Sequence, residues 1–221
     1  MLTGVRWGPA SKGTARQLVV LCHGVGANGY DLIDLAPTWS KALPDAVFVA
    51  PDAPEPYDQA PPNQGGEARQ WFSLADRTPA VLYAGAQRAA PALNAYIDAE
   101  LARLELGRDD VALMGFSQGA MMVLHTGLRR NPIPRGLLAF SGALLLTPEL
   151  VAECAGHPPV LLVHGEDDEV VSFTRALQSE SALQHLGIPL QTLWRPGLGH
   201  AIDDVALSTG ALFLQRLFAQ A

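Results

Sequence analysis

The chain has only two cysteines in 221 residues, Cys22 and Cys154, which excludes a scaffold held by disulfides. Cys22 stands inside the apolar run "QLVVLC", the setting of a small buried thiol. Clustered positive charge is also scarce. The formal net charge is −7, and Arg129–Arg130 is the only adjacent pair among 15 Lys and Arg residues. That argues against a nucleic-acid partner or an anionic membrane surface. No apolar segment approaches the roughly 20 residues needed to span a bilayer, so no stable membrane insertion is expected. The opening "MLTGVRWGPASKG" has no charged segment followed by an apolar one, so no secretory signal is read there. A reducing cytoplasm is the expected compartment. Internal repeats, low-complexity tracts and interdomain linkers are missing too.

What is present is a globular composition, 48% hydrophobic and 17% charged, in a chain long enough to bury a sizeable core. Apolar runs of strand length fall at Leu18–Cys22, Val47–Ala50, Val111–Met114, Gly136–Phe140, Val160–His164 and Leu190–Trp194. Several are apolar throughout, as in a parallel sheet covered on both faces. Segments of helical character occupy Tyr30–Ala42, Pro79–Leu106, Gln118–Arg130, Phe173–Leu186 and Val205–Ala221. Pro91 interrupts the second, which predicts two helices or a kink. Alternating strands and helices specify an α/β fold with a mostly parallel sheet, read as one domain over residues 1–221. The long aperiodic stretch is "PDAPEPYDQAPPNQGGEARQ", a functional loop or a surface excursion.

The densest signal is "VALMGFSQGAMMVL". A buried strand stops at Gly115 and a buried helix starts after Ser117, through the pattern Gly-x-Ser-x-Gly. A strand-to-helix turn this sharp brings positions 115 and 119 together, where Cβ atoms would collide. It forces Ser117 into strained backbone and lifts its Oγ off the sheet edge, at a helix N-terminus that favours developing negative charge. Ser117 is therefore the candidate nucleophile.

A serine hydroxyl needs a base, and the base needs an orienting acid, in the chain order Ser, Asp or Glu, His. Of six histidines, only His200, in "RPGLGHAI", follows every candidate acid and the last strand. The acid lies in "LLVHGEDDEVVS", where Glu166, Asp167, Asp168 and Glu169 compete and spacing leaves Asp167 and Asp168 unseparated. Two backbone donors are needed for the oxyanion. One is the N–H of Gln118 and the other, from the Gly-rich "VLCHGVGANGYD", is the N–H of Val25. No Cys or His cluster has metal-ligand spacing.

Together, "LCHGVGANGYDL", "ARQWFSL", "LMGFSQGAMM", "LLVHGEDDEVV" and "RPGLGHAI" resemble, in order, the carboxylesterase, lysophospholipase and acyl-protein thioesterase family of α/β-hydrolases. The resemblance covers essentially the whole chain. It implies a catalytic triad of Ser117, Asp168 and His200, selecting Asp168 over Asp167, with Val25 and Gln118 as oxyanion donors. The chain departs from the family pattern at Glu166–Asp167, where an Asp and a small or neutral residue are more usual. The resemblance also implies that Trp71 and Phe72 lie beside the acyl pocket; the alternative is that Trp71 anchors its loop in the core. It further implies no metal or organic cofactor, and a possible homodimer.

The segments leave no room for a cap domain, so small-molecule esters of short to medium chain length are the expected substrates. Acyl-protein thioesterase or lysophospholipase activity is the alternative within the family. Dienelactone-type hydrolases share the fold but carry Cys at the elbow. A non-catalytic small-molecule receptor on the same fold is the reading from another class.

Overall fold

A computed structural model describes residues 2–60 and 67–219. Nine strands form in chain order: β1 (Gly4–Trp7), β2 (Gln17–Cys22), β3 (Ala46–Pro51), β4 (Glu55–Pro56), β5 (Arg69–Gln70), β6 (Val111–Phe116), β7 (Gly136–Phe140), β8 (Val160–Gly165) and β9 (Leu190–Arg195). Seven of them make one sheet of order β1-β3-β2-β6-β7-β8-β9. Every neighbouring pair is parallel except β1 against β3. The helices are α1 (Gly29–Ile33), α2 (Ala36–Trp39), α3 (Pro79–Arg103), α4 (Gln118–Arg129), α5 (Leu150–Glu153), α6 (Phe173–His185) and α7 (Asp204–Ala219).

Period-two alternation in the central strands feeds two cores. In β2, Leu18, Val20 and Cys22 point to one face with α3, α4 and α6, while Val19 and Leu21 point to the other with α1, α2 and α7. β6 divides the same way, Val111 and Leu113 against Ala112 and Met114. Both faces are apolar because both are covered by helices. The six strands read from the sequence therefore stand where expected. Strand order reverses between β2 and β6, and the crevice outside the strand C-termini at such a switch point is where ligands bind in open α/β sheets. The loop Gly24–Val25 follows β2 and Ser117 follows β6, so the topology places them together.

Several elements differ from the sequence expectation. Tyr30–Ala42 is two short helices, because the chain breaks after Ile33 and restarts with Pro37 in the first turn of α2, the position proline tolerates. In the other direction, α3 runs through Pro91 as one helix of 25 residues. Pro91 and Gln87, whose carbonyl loses its helical donor, both face solvent, so water can serve that carbonyl. The four-residue strand β1, the two-residue pair β4–β5 and the one-turn α5 are too short for a periodicity to show in the sequence. The "PDAPEPYDQAPPNQGGEARQ" stretch contributes β4 and β5, and its residues 61–66 lie outside the described residues. Among the described residues, no cap domain is built beyond the sheet and these elements.

Two glycines fix the approach of α4 to the sheet. A Cβ on Gly115 would lie 2.3 Å from the Gly119 backbone, as the turn requires. A Cβ on Gly119 would lie 1.9 Å from the carbonyl oxygen of Cys22. Gly119 is thus constrained by the end of β2 and not by Gly115. Because backbone on both sides cannot yield, Gly119→Ala should lower unfolding stability by at least about 2 kcal/mol in urea titration. An unchanged midpoint would show that the helix can move away from β2.

Candidate active site

Ser117 joins β6 to α4 at φ 54°, ψ −118°, a conformation costing on the order of 1–3 kcal/mol for a residue with a side chain. Neighbouring backbone holds it there. Its N–H donates to Phe140 O (2.9 Å), and its own carbonyl accepts from Ala120 N (3.0 Å) and Met121 N (3.2 Å). The residue retains 6% exposure at the head of a helix whose first eleven residues are buried. Gln118 is the first helical residue, so its N–H has no acceptor within the helix.

The acid loop after β8 and the base loop after β9 are built against each other. Asp167 N–H donates to Leu198 O (3.0 Å), and Glu166 N–H to Arg195 O (3.0 Å). A Cβ on Gly165 would meet Leu198 O at 2.1 Å, so only glycine lets the loops close to this distance. The feet of the base loop are joined by Arg195 Nε and Asp203 Oδ2 at 2.8 Å. The result brings His200 Nδ1 to 2.8 Å from Asp168 Oδ2. Asp168 is buried, while Glu166, Asp167 and Glu169 are exposed. Its Oδ1 accepts from Val170 N (2.9 Å) and Val171 N (2.8 Å). The choice that spacing left open is thus made by burial and by the bond to His200. With Nδ1–H committed to the carboxylate, Nε2 is the ring nitrogen free to take a proton. The Phe116 ring, adjacent to Ser117, sits 4.8 Å from the imidazole and puts the base beside the elbow.

The loop after β2 completes the cleft. A Cβ on Gly24 would lie 3.3 Å from Ser117 Cβ, so the turn carrying Val25 passes close to Ser117. Gly26 N–H donates to Arg69 O (2.8 Å) and Ala27 N–H to Gly24 O (3.3 Å). Val25 N–H finds no backbone acceptor among the described residues. Gly24, next to Val25, and Gln118 thus lie on either side of Ser117 in the structure.

Trp71 and Phe72 are placed in the core, 0% and 1% exposed. Trp71 Nε1 donates to His23 O (3.0 Å) and its N–H to Gln118 Oε1 (3.0 Å), while Gln118 Nε2 donates to Phe72 O (2.6 Å). Neither ring presents a wall to an open pocket. A large indole with its one donor satisfied is better buried than exposed, so Trp71 anchors its loop. Gln118 therefore has a second role, its side-chain amide clamping the 71–72 segment to α4.

Two supporting residues escaped sequence reasoning. His23 is fully buried; its Nδ1–H donates to Gly24 O (2.7 Å) and its Nε2 accepts from Ala53 N–H (3.0 Å). Arg69 donates from Nε to Ala53 O (2.9 Å) and from Nη2 to Pro54 O (2.7 Å). Together they tie the Val25 turn to the segment after β3. The only signal in the sequence was their position inside "LCHG" and "ARQWF". Among the described residues, no group of three or more His, Cys, Asp or Glu side chains is placed to hold a metal ion.

Three buried histidines share one electrostatic condition. Burial pushes His23 and His164 below the usual imidazole range and His125 down to about 4. The unfolded chain therefore takes up protons near pH 6.5 that the folded chain refuses. Folding stability is full above that pH and falls as the pH drops toward 4, by up to about 1.4 kcal/mol per pH unit for each histidine. Thermal melts should show Tm declining from pH 7 to pH 4.5, and His125→Gln, distant from the cleft, should flatten the decline. Equal slopes in the two proteins would contradict this account.

The site geometry can be compared with known proteins. A model of the family described as phospholipase/carboxylesterase matches residues 9–218. The chain is 30% identical to esterase YpfH of Escherichia coli over 86% of this chain and 78% of that protein. It is 32% identical to acyl-protein thioesterase 1 of Schizosaccharomyces pombe over 91% and 89%. The crystal structure of esterase PE8 superposes with a TM-score of 0.88 at 40% identity, covering 98% of this chain and 99% of that one. With the match covering residues 9–218, this chain belongs to the phospholipase/carboxylesterase family of α/β-hydrolases.

Proposed function

We propose that this chain is a serine carboxylesterase that hydrolyses short- to medium-chain esters through an acyl-enzyme on Ser117. The observation that carries the reading is the His200–Asp168 bond of 2.8 Å beside a serine held in strained backbone at a sheet switch point. His200 Nε2 takes the Ser117 proton as Oγ attacks the ester carbonyl. The N–H groups of Val25 and Gln118 receive the oxyanion, and the imidazolium returns its proton to the leaving alcohol. A water, deprotonated by the same nitrogen, then releases the acid. Asp168 holds the tautomer and balances the imidazolium throughout.

The lack of a cap domain among the described residues supports substrates of modest size. A thioester carbonyl would meet the same atoms, and the fission-yeast relative is named an acyl-protein thioesterase. Every residue of the reading comes from one chain and one sheet, so the chemistry needs neither a second copy nor a second domain. No helix among the described residues is long and apolar enough to cross a membrane. Two unpaired cysteines, one with its thiol pushed up by burial, fit the cytoplasm, where we place the protein.

Brief exposure to a fluorophosphonate should add one label to the intact protein and none to Ser117→Ala, read by mass spectrometry. Hydrolysis of p-nitrophenyl esters of two to twelve carbons should peak at the shorter chains and fall about 10⁴- to 10⁶-fold in that variant. Labelling without turnover would indicate a receptor, and no labelling would overturn the nucleophile.

A further inference from the structure

His23 follows β2 directly and takes no part in the steps above, yet both nitrogens of its buried ring are committed. Nε2 lies 3.0 Å from Ala53 N, and a backbone N–H only donates, so Nε2 carries no hydrogen. The hydrogen is therefore on Nδ1 and goes to Gly24 O at 2.7 Å. Trp71 packs against the ring with centroids 5.8 Å apart, and its indole N–H donates to His23 O. Ala53 is fixed in turn by Arg69 Nε, which donates to its carbonyl at 2.9 Å.

The acceptor Gly24 O belongs to the same peptide unit as the N–H of Val25. That peptide is trans, and a trans peptide is a plane whose C=O and N–H point in opposite directions. Holding one end on the His23 ring therefore sets the direction of the other. The peptide adjoins the nucleophile, since a Cβ on Gly24 would lie 3.3 Å from Ser117 Cβ.

We propose that His23 is a positioning residue that aims the Val25 N–H at the oxyanion by holding the far end of its peptide. This rests on the reading of Val25 as an oxyanion donor given above. A hydrogen bond to a carbonyl also polarises the amide it belongs to, so the N–H opposite becomes a stronger donor. Orientation and donor strength thus come from one imidazole nitrogen, while the other ties the ring to the segment after β3. Burial keeps the ring neutral, as this division requires, because an imidazolium would turn a donor toward the Ala53 N–H. A second bond to Gly24 O, from Ala27 N–H, is longer at 3.3 Å. It comes from within the same turn and moves with the peptide.

Two substitutions divide the two bonds of the ring. The amide of His23→Asn places an N–H where Nδ1 stands, so the bond to Gly24 O is kept and that to Ala53 lost. In His23→Gln the amide oxygen stands near Nε2, so the Ala53 bond is kept and the Gly24 bond lost. With p-nitrophenyl butyrate, Gln should lower kcat by at least about tenfold with KM little changed, part of the roughly 10²- to 10³-fold cost of removing a whole donor. Asn should return kcat toward wild type even where its Tm is lower. The opposite order, with Gln near wild type and Asn impaired, would make His23 an anchor between segments and overturn the proposal. Equal losses that follow Tm would overturn it too. Should one variant not fold, the other is read against wild type, and either an unimpaired Gln or a strongly impaired Asn counts against the proposal.

The backbone amide nitrogen resonance of Val25 separates this idea from the esterase reading, because that nitrogen responds to a hydrogen bond on the carbonyl of its own peptide. It should move in Gln and return in Asn, whether or not any ester is hydrolysed. An unmoved resonance would overturn the role of His23, as would a moved one with kcat unchanged in Gln. A moved resonance where the wild type itself turns over no ester would leave the hold of His23 on the peptide standing and sink the esterase reading alone.

Discussion

The contact on which the rest depends is that of α4 with the C-terminal ends of β2 and β6. The helix starts so close to β2 that a single carbon on Gly119 would occupy the space of the Cys22 carbonyl. That closeness leaves no length of chain between strand and helix, so Ser117 must turn in one residue and adopts positive φ. The same closeness brings the first N–H of α4 beside the Val25 turn. The strain at Ser117 and its closeness to the loop after β2 thus have a single steric origin.

Around this point the protein uses backbone, buried amides and one half-buried guanidinium. Gln118 binds the 71–72 segment and His23 the segment after β3 where water is excluded, and Arg69 adds bonds to the same segment. Such bonds are individually modest in net energy, but leaving one unmade in a dry site costs about 1–3 kcal/mol. The cleft is therefore held rigid by groups that cannot afford to move.

The acid end follows the same logic with one buried charge. Asp168 sits in the interior with Oδ1 held by two N–H groups of its own turn and Oδ2 by the His200 imidazole. A buried carboxylate is tolerable only when so satisfied. The exposed Glu166 and Asp167, where the chain departs from the family pattern, point to solvent and carry none of that network.

The sequence by itself determined the parallel strands, the elbow and the order of Ser117, acid and His200. These are local patterns: apolar runs for strands covered on both sides, glycines where a turn leaves no room for Cβ, and a histidine after the last strand. Only the tertiary structure decided what depends on distant packing. Asp168 differs from Asp167 by which of two neighbours is buried against a loop some thirty residues on. Trp71 reads equally as pocket wall or anchor until His23 O is seen to accept its indole N–H. His23 and Arg69 act through bonds to chain segments far from them in sequence. No spacing records such partners, because hydrogen-bond pairing between loops is fixed by the sheet that brings them together.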